Sequence, residues 1–284
     1  MRVHSALPDR LTAAVDDVLR AAGIEHVAHA GAAPMRGAEA AAADDGALAL
    51  IGPFRSADVA EAVEATAPAG LPLLAPVATW AGVTRDDEPG CDDPARHRGT
   101  VLRLVARDTE VAARIAADVR AAGRRALVVR GDHEYGLQLD GQLRLAGLPR
   151  AERAEEADLV VLCGLAGARE IEGAAALAPL PVVAFDGVQG AAGLAAGRDV
   201  CVALPYAPVE GLAPPVLFAG VERAGRAAEL VVAALRDGAR DRPDLLAALR
   251  ALGPFDDHGD PVDPPVWLWR AGADWALAPE RPLG

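Results

Sequence analysis

Short apolar runs alternate with helical patterns along most of this chain, and this alternation limits the possible folds more than any single motif does. Each run is about five residues of Val, Leu, Ile or Ala, which is typical of strands covered on both faces. Such strands alternating with helices predict an α/β fold with parallel sheets. The predicted strands are Ala47–Ile51, Leu71–Ala75, Arg125–Val129, Leu159–Cys163, Pro181–Ala184 and Val200–Ala203.

Apolar residues recur at helical spacing between these runs. The helices predicted there are Ala57–Ala67, Thr109–Ala122, Tyr135–Leu145 and Ala168–Ala176. A long helix, Val221–Asp237, follows them, and we expect Gly238 to cap its C-terminus. Asp241 is expected to begin the next helix. Alternation around Val266–Trp269 predicts a β-hairpin near the end of the chain.

The net charge limits which classes of molecule the protein is expected to bind. The formal net charge is −13, and all 28 basic residues are arginines. Nucleic-acid binding needs a basic surface, so we expect no nucleic-acid partner and a small-molecule ligand instead. No apolar run approaches the roughly 20 residues of a membrane span. The segment MRVHSALPDRLTAAV lacks the apolar core of a signal peptide, so we expect a cytoplasmic protein. A periplasmic or extracellular location is the alternative if a signal segment has been removed.

The cysteines and histidines do not suggest a metal site. Cys91, Cys163 and Cys201 are widely spaced and odd in number, which argues against a zinc site or a disulfide framework. We expect Cys163 and Cys201 to be buried, reduced thiols because they lie in apolar runs. His26 and His29 are three residues apart, and a strand would place them on opposite faces. The sequence therefore predicts no metal and no cofactor.

A tight corner follows the run that ends at Ile51. It reads Gly-Pro-Phe-Arg-Ser over residues 52–56, and Ser56 is expected to cap the following helix. A strand–loop–helix unit also directs the N–H groups and the positive end of the helix dipole towards the sheet edge, where they can bind an anion. From the residues alone, helix capping and anion binding both remain open.

Three more loops follow predicted strands. They contain Thr79, Tyr135 and Asp186, in the stretches PVATWA, RGDHEYG and FDG. Open α/β sheets bind ligands at the carboxyl ends of their strands, where all four loops are expected. Each residue also has a structural interpretation: Thr79 as a loop cap, Tyr135 as packing and Asp186 as a turn residue.

These stretches together resemble a known family. LIGPFRSADVAEAVEATAPAGLPLLAPVATWAGVTR is similar to a segment of the leucine/isoleucine/valine-binding proteins of ABC importers. Further similar stretches, in the same order, are VLRLVARDTEVAARIAADV, RRALVVRGDHEYGLQL, ADLVVLCG, PVVAFDG and FDDHGDPVDPPVWLWR. The resemblance covers roughly residues 45–284.

The resemblance implies the type I periplasmic-binding fold: α/β, with two Rossmann-like lobes whose parallel sheets are joined by a three-segment hinge. Lobe 1 would comprise residues 1–103 and 207–255, and lobe 2 would comprise residues 104–206 and 256–284. A small ligand would bind in the cleft between the lobes.

The resemblance also implies a ligand set. Ser56 and Thr79 would hold the carboxylate of an amino acid, with backbone N–H groups. Thr79 and the carbonyl of Ala78 would help to bind its ammonium. Asp186 matches the acidic residue that pairs with that ammonium, and Tyr135 matches an aromatic residue that leans over the ligand.

The roles of two residues next to these ligand-binding residues remain open. Trp80 is expected to be a cleft wall or a packing residue. Arg55 replaces a small residue beside the carboxylate site, where it would meet a second acidic group or fill a gap. Trp80, Tyr135, Leu165 and Phe185 suggest an apolar space for the ligand's side chain.

The N-terminal region departs from the family pattern. MRVHSAL leads directly into PDRLTAAVDDVLRAAG, without the glycine-rich loop that contacts the ligand in the family. The region between Leu148 and Asp158 is also short where the family has a strand and a helix. These losses leave two interpretations open: a remodelled cleft or a degenerate one.

The sequence therefore predicts a non-enzymatic protein that binds an amino-acid-like ligand carrying a carboxylate and an amine, as a solute-binding or sensor protein. Its protein partner would be an ABC permease or a regulatory protein. The alternative is a degenerate binding fold that acts as a protein-interaction or regulatory module. An enzyme is the third hypothesis, but no nucleophile elbow, phosphate loop or dinucleotide fingerprint is found.

Overall fold

The computed structural model divides into two compact units. Unit 1 comprises Met1–Val105 and Ala219–Asp263, and unit 2 comprises Ala106–Phe218 and Pro264–Gly284. The chain therefore passes between the units after Val105, Phe218 and Asp263. The structure describes residues 1–29, 34–85, 99–131, 133–164, 168–177, 179–187, 192–195, 197–208, 216–273 and 276–284.

All three boundaries differ from the sequence-based division, because they follow Val105, Phe218 and Asp263 rather than residues 103, 206 and 255. The sequence assigned residues 256–284 to lobe 2, whereas residues 256–263 belong to unit 1. The physical reason is a buried ion pair between Asp260 and Arg103 of unit 1, with Nε to Oδ1 at 2.9 Å. A hinge between the lobes stays a prediction.

Strands β1 to β11 and helices α1 to α9 are numbered along the described part of the chain. The strands are β1 (Arg2–Ser5), β2 (Glu25–Ala28), β3 (Ala47–Ile51), β4 (Leu73–Ala75), β5 (Val101–Arg103), β6 (Ala126–Arg130), β7 (Leu159–Cys163), β8 (Val182–Phe185), β9 (Val200–Leu204), β10 (Val266–Ala271) and β11 (Leu277–Leu283). The helices are α1 (Asp9–Ala21), α2 (Pro34–Ala43), α3 (Ser56–Thr66), α4 (Asp108–Ala121), α5 (Glu134–Leu145), α6 (Ala168–Ala176), α7 (Ala192–Ala195), α8 (Val216–Arg236) and α9 (Arg242–Leu252).

Unit 1 contains a parallel sheet with the strand order β2-β1-β3-β4-β5. Both of its faces are covered. Ala49 and Ile51 pack in a cluster with α1, α8 and α9, while Leu50 packs in a cluster with α2 and α3. Side chains alternate between the faces of a strand, so β3 is apolar at every position. The parallel arrangement brings the carboxyl ends of β3 and β4 to the same sheet edge.

Unit 2 contains a sheet with the order β11-β10-β9-β8-β7-β6. Strands β6 to β9 are parallel, and β10 runs antiparallel to both β9 and β11. The pairing of β10 with β11 confirms the predicted hairpin. Cys163 and Cys201 are buried and free, as expected, whereas Cys91 lies outside the described residues.

Among the described elements, three strands (β1, β2 and β5) and three helices (α1, α2 and α7) were not predicted from the sequence. Two of the strands, β1 and β2, contain His4, Ser5 and His26, which interrupt the apolar pattern used to predict strands. The N-terminal region therefore contains regular structure that the sequence analysis did not predict. It forms a strand, a short connection over residues 6–8 and the 13-residue helix α1.

None of the described helices is both long and apolar enough to cross a bilayer.

Candidate functional site

The corner after β3 contains a glycine whose backbone conformation other residues rarely adopt. Gly52 has a φ of +97°, and an added Cβ would lie 2.8 Å from Leu7 Cδ2 and 3.0 Å from the carbonyl oxygen of Ala6. The Gly52 N–H donates to the carbonyl of Leu74 in β4 at 2.9 Å. Glycine is therefore needed here, both for the backbone conformation and for the close approach of the chain.

Ser56 is not the N-cap that the sequence predicted. Arg55 holds that position, because its backbone is extended and its carbonyl accepts the helix bond from the Val59 N–H at 3.0 Å. Ser56 is the first residue inside α3. Its hydroxyl oxygen accepts the N–H groups of Thr79 and Trp80 at 3.1 and 3.2 Å. Ser56 thus joins the loops that follow β3 and β4.

Arg55 points its guanidinium at its own helix. Its Nε and Nη2 donate to the two carboxylate oxygens of Asp58, both at 2.8 Å. The Arg55 side chain is exposed, and its hydrogen bond to Asp58 raises the pKa of Arg55. The acidic group that Arg55 meets in this structure is therefore Asp58.

A residue that the sequence analysis missed organises the loop after β4. Arg103 is fully buried at the end of β5. Its Nη1 donates to the carbonyls of Ala78 at 2.7 Å and Trp80 at 2.9 Å. Its Nη2 donates to the Ala81 carbonyl at 3.3 Å and to Thr84 Oγ1 at 2.7 Å. The Ala78 carbonyl, which was assigned to a ligand ammonium, already accepts a guanidinium donor.

Asp260 neutralises Arg103. Its carboxylate accepts from Arg103 Nε at 2.9 Å, from Arg85 Nε at 2.9 Å and from the Thr84 hydroxyl. Burial opposes the charged form, but Arg103, Thr84 and Arg85 outweigh it and hold the pKa of Asp260 below its usual value. One signal could have revealed this network, because Arg103 interrupts the apolar sequence VLRLV.

In unit 2, the structure brings Tyr135 and Asp186 together. Tyr135 lies in the first turn of α5, where the His133 side chain caps the helix by accepting the Gly136 N–H at 3.1 Å. The Tyr135 hydroxyl lies 3.2 Å from Asp186 Oδ1 and 3.2 Å from Asp108 Oδ1. Asp108, the buried first residue of α4, was not identified from the sequence.

The pKa of the Asp186 carboxyl is above its usual value. Burial raises its pKa to about 6, although the Tyr135 hydroxyl and the Gly187 N–H act in the opposite direction. Asp186 is therefore mostly ionised at pH 7 and is half-protonated near pH 6. Such a carboxylate, half-buried at the end of β8, can pair with a cation at neutral pH.

The expected apolar side-chain space is only partly described. Phe185 belongs to the core of unit 2 and is 1% exposed, so it packs inside the unit. Trp80 is half-buried and packs against the cluster of α2 and α3. Leu165 lies outside the described residues.

Two histidines, His26 and His29, contact residues of β1, which itself contains His4. His26 Nε2 is 2.9 Å from Ser5 Oγ, and its Nδ1 is 3.1 Å from Asp16 Oδ1. The sequence of contacts from Ser5 to His26 to Asp16 resembles a hydrolytic triad, but the Ser5 side chain is fully buried. These contacts therefore connect β1 to β2 and α1.

His29 contacts a different neighbour from His26. Its Nε2 is 2.9 Å from His4 Nδ1, and the two rings stack. His4 and Ser5 are consecutive in β1, so His26 and His29 lie on opposite faces, as predicted. Among the described residues, no group of three or more His, Cys, Asp or Glu side chains could hold a metal ion.

The fold of the chain can be compared with solved structures. No protein-family model and no curated protein matches the sequence. An ABC transporter substrate-binding protein from Desulfitobacterium hafniense in complex with leucine has a TM-score of 0.75 and 19% identity, over 99% of both chains. This chain has the type I periplasmic-binding fold. The α/β architecture and the structural resemblance expected from the sequence are confirmed.

Two further structures share this fold. One is the branched-chain amino acid transporter substrate-binding protein LivJ from Streptococcus pneumoniae in complex with isoleucine, with a TM-score of 0.73 and 16% identity over 99% of both chains. The other is a solute-binding protein from R. palustris in complex with benzoate, with a TM-score of 0.73 and 15% identity over 100% of this chain and 96% of that chain. All three hold a small carboxylate, and two of the three ligands also carry an amine.

Proposed function

We propose that this chain is a non-enzymatic solute-binding or sensor protein that binds an amino-acid-like ligand between its two units. The observation that carries the proposal is a chemical division between the units. Unit 1 offers a hydroxyl and backbone N–H groups at Ser56, Thr79 and Trp80, and unit 2 offers a carboxylate at Asp186. A zwitterion needs donors at one end and a carboxylate at the other.

Ser56, Thr79 and Trp80 would bind the ligand's carboxylate. The Ser56 hydroxyl accepts two N–H groups and retains its own proton for donation. The first turn of α3 adds the positive end of the helix dipole. Hydrogen bonds to an ionised carboxylate are stronger than those to a neutral hydroxyl, so a ligand carboxylate would replace Ser56 as the acceptor of these N–H groups.

Asp186 would bind the ligand's ammonium, and Tyr135 would lean over the ligand. Tyr135 positions Asp186 through its hydroxyl at 3.2 Å. The carbonyl of Ala78 has a second lone pair beside the one that Arg103 uses, so it could still accept from an ammonium. Arg55, held by Asp58, would stay at the margin of the site.

The units would close on the ligand by a hinge at the three crossing segments.

The protein partner would be an ABC permease or a regulatory protein. A similar structure from Burkholderia xenovorans is a periplasmic ligand-binding protein, and by that likeness the periplasmic location becomes the one we propose. The alternative of a protein-interaction module is not favoured by a particular observation.

Calorimetric titration with two matched ligands tests this proposal. Leucine and 4-methylpentanoate share their carbon skeleton and differ in the amine alone. We expect leucine to bind at least 100-fold more tightly to the wild type. Asp186→Asn should reduce that preference to less than tenfold, because it removes the charge that pairs with the ammonium.

Equal affinity for the two ligands would overturn the zwitterion model and favour a carboxylate such as benzoate. Binding of neither ligand, nor of benzoate, would favour the degenerate cleft and its role as an interaction module.

A further inference from the structure

Arg103 holds the loop that we assign to the ligand carboxylate. It donates to three carbonyls of that loop, those of Ala78, Trp80 and Ala81. The N–H groups of Thr79 and Trp80 belong to the same peptide segment. A planar guanidinium offers its donors in a fixed geometry, so the direction of these N–H groups depends on Arg103.

Arg103 also lies next to two of the three places where the chain leaves unit 1. It precedes the crossing after Val105 by two residues, and Asp260 precedes the crossing after Asp263 by three. Their side chains form an ion pair at 2.9 Å, with exposures of 0% and 1%.

The backbones of the two crossing segments meet at the same point. The Arg103 N–H donates to the Gly259 carbonyl at 2.8 Å. Gly259 has a φ of +87°, and an added Cβ would lie 2.0 Å from the carbonyl oxygen of Val101. The two segments therefore approach as closely as a glycine allows, and the ion pair fixes them together.

We propose that Arg103 is a positioning residue that couples the carboxylate-binding loop to these two crossing segments. The part that concerns the ligand rests on the proposed function. A shift of the loop carbonyls must move the guanidinium, and the guanidinium cannot move without Asp260, because separating a buried ion pair is strongly unfavourable. Coupling of this kind is reciprocal, so a ligand that orders the loop also orders the crossing segments.

Arg103→Lys is the variant that tests this link. Lysine keeps the positive charge for Asp260 but carries one nitrogen, which cannot reach the three loop carbonyls together. Arg85→Lys is the matched control, because the same substitution touches the same carboxylate. The described side-chain contacts of Arg85 are with Asp256 and Asp260.

Without ligand, we expect faster hydrogen exchange at the Thr79 and Trp80 amides in Arg103→Lys than in the wild type or in Arg85→Lys. With ligand, calorimetry should show at least a tenfold loss of leucine affinity in Arg103→Lys and less than threefold in Arg85→Lys. If Arg103 had a purely structural role, both substitutions would lower the melting temperature, and the two variants would bind leucine with similar affinity.

Asp260→Asn tests the contact between Arg103 and the segment 256–263 separately from the contact between Arg103 and the loop. It is also the variant to use if Arg103→Lys does not fold. We expect the loop amides to stay protected in this variant. Leucine should no longer slow exchange in residues 256–263, as it does in the wild type.

Unchanged exchange at the loop amides in Arg103→Lys would overturn the inference, and so would a leucine effect on residues 256–263 that survives in Asp260→Asn. Failure of the wild type to bind leucine would instead contradict the proposed function. In that case exchange without ligand still decides whether Arg103 holds the loop.

Discussion

At the scale of single residues, the polar groups of the candidate site already have partners inside the chain. The Thr79 and Trp80 N–H groups donate to Ser56, and the Tyr135 hydroxyl contacts Asp108 and Asp186. A ligand would exchange these bonds for charge-assisted ones. The net gain is smaller than the strength of the new bonds, so affinity depends on how well the groups are already oriented.

The acidity of Asp186 predicts a pH-dependent stability. Its pKa is about 6 in the folded protein, against about 3.9 for an ordinary aspartate. The folded state therefore binds more protons between pH 4 and pH 6, and stability falls as pH rises through that window. Asp186→Asn should remove this loss, so the variant should become more stable than the wild type by about 2 kcal/mol at pH 7 and by much less at pH 4.

Urea unfolding of both proteins at pH 4, 5, 6 and 7 measures the difference. Asp237→Asn, at an exposed carboxylate after α8, is the control and should change the free energy of unfolding by less than about 0.5 kcal/mol at each pH. An Asp186→Asn effect that stays constant from pH 4 to pH 7 would contradict the assignment.

The sequence identified residues whose role follows from local context. Thr79 and Asp186 follow strands whose apolar pattern is plain, so their place at the sheet edge could be predicted. Arg103 could not be recognised in the same way, because its partner Asp260 is 157 residues away in the sequence. Asp108 was missed for a similar reason, since Tyr135 is 27 residues away.

At the scale of elements, the loops of unit 1 are fixed by contacts between neighbouring strands. Strands β3 and β4 end side by side, and the Gly52 N–H continues their pairing by donating to the Leu74 carbonyl. Apolar runs predicted these strands well. The short strands β1 and β2 were not predicted, because polar contacts hold them and apolar periodicity does not detect such contacts. His4 contacts Asp44, and His26 contacts Ser5 and Asp16.

Gly52→Ala tests how strictly the corner is defined. The substitution combines strain at a positive φ with a clash against Leu7 and the Ala6 carbonyl, so we expect unfolding to become easier by about 2–4 kcal/mol. Gly70→Ala is the matched control, since Gly70 has a φ of +62° but nothing within 4 Å of an added Cβ. It should cost about 1 kcal/mol. Equal losses in urea unfolding would show that the close approach at Gly52 is unimportant.

At the scale of the whole molecule, each unit has its own sheet and its own apolar core. The alternation of strands and helices was enough to predict the α/β class, whereas the type I periplasmic-binding fold was predicted from the resemblance to a known family. The point where residues 256–263 join unit 1 was not predictable, because it depends on the Arg103–Asp260 ion pair and on the Gly259 contact rather than on composition.

The central claim is that the chain binds an amino-acid-like ligand, and a thermal-shift screen of the wild type tests it most directly. The twenty amino acids and simple carboxylates, including benzoate, are each added at millimolar concentration. At 100 times its dissociation constant a ligand stabilises the folded state by about 2.7 kcal/mol, which for a chain of this size raises the melting temperature by roughly 5 °C. We predict such a rise with leucine, isoleucine or valine. A melting temperature unchanged by every amino acid and every carboxylate would contradict the account.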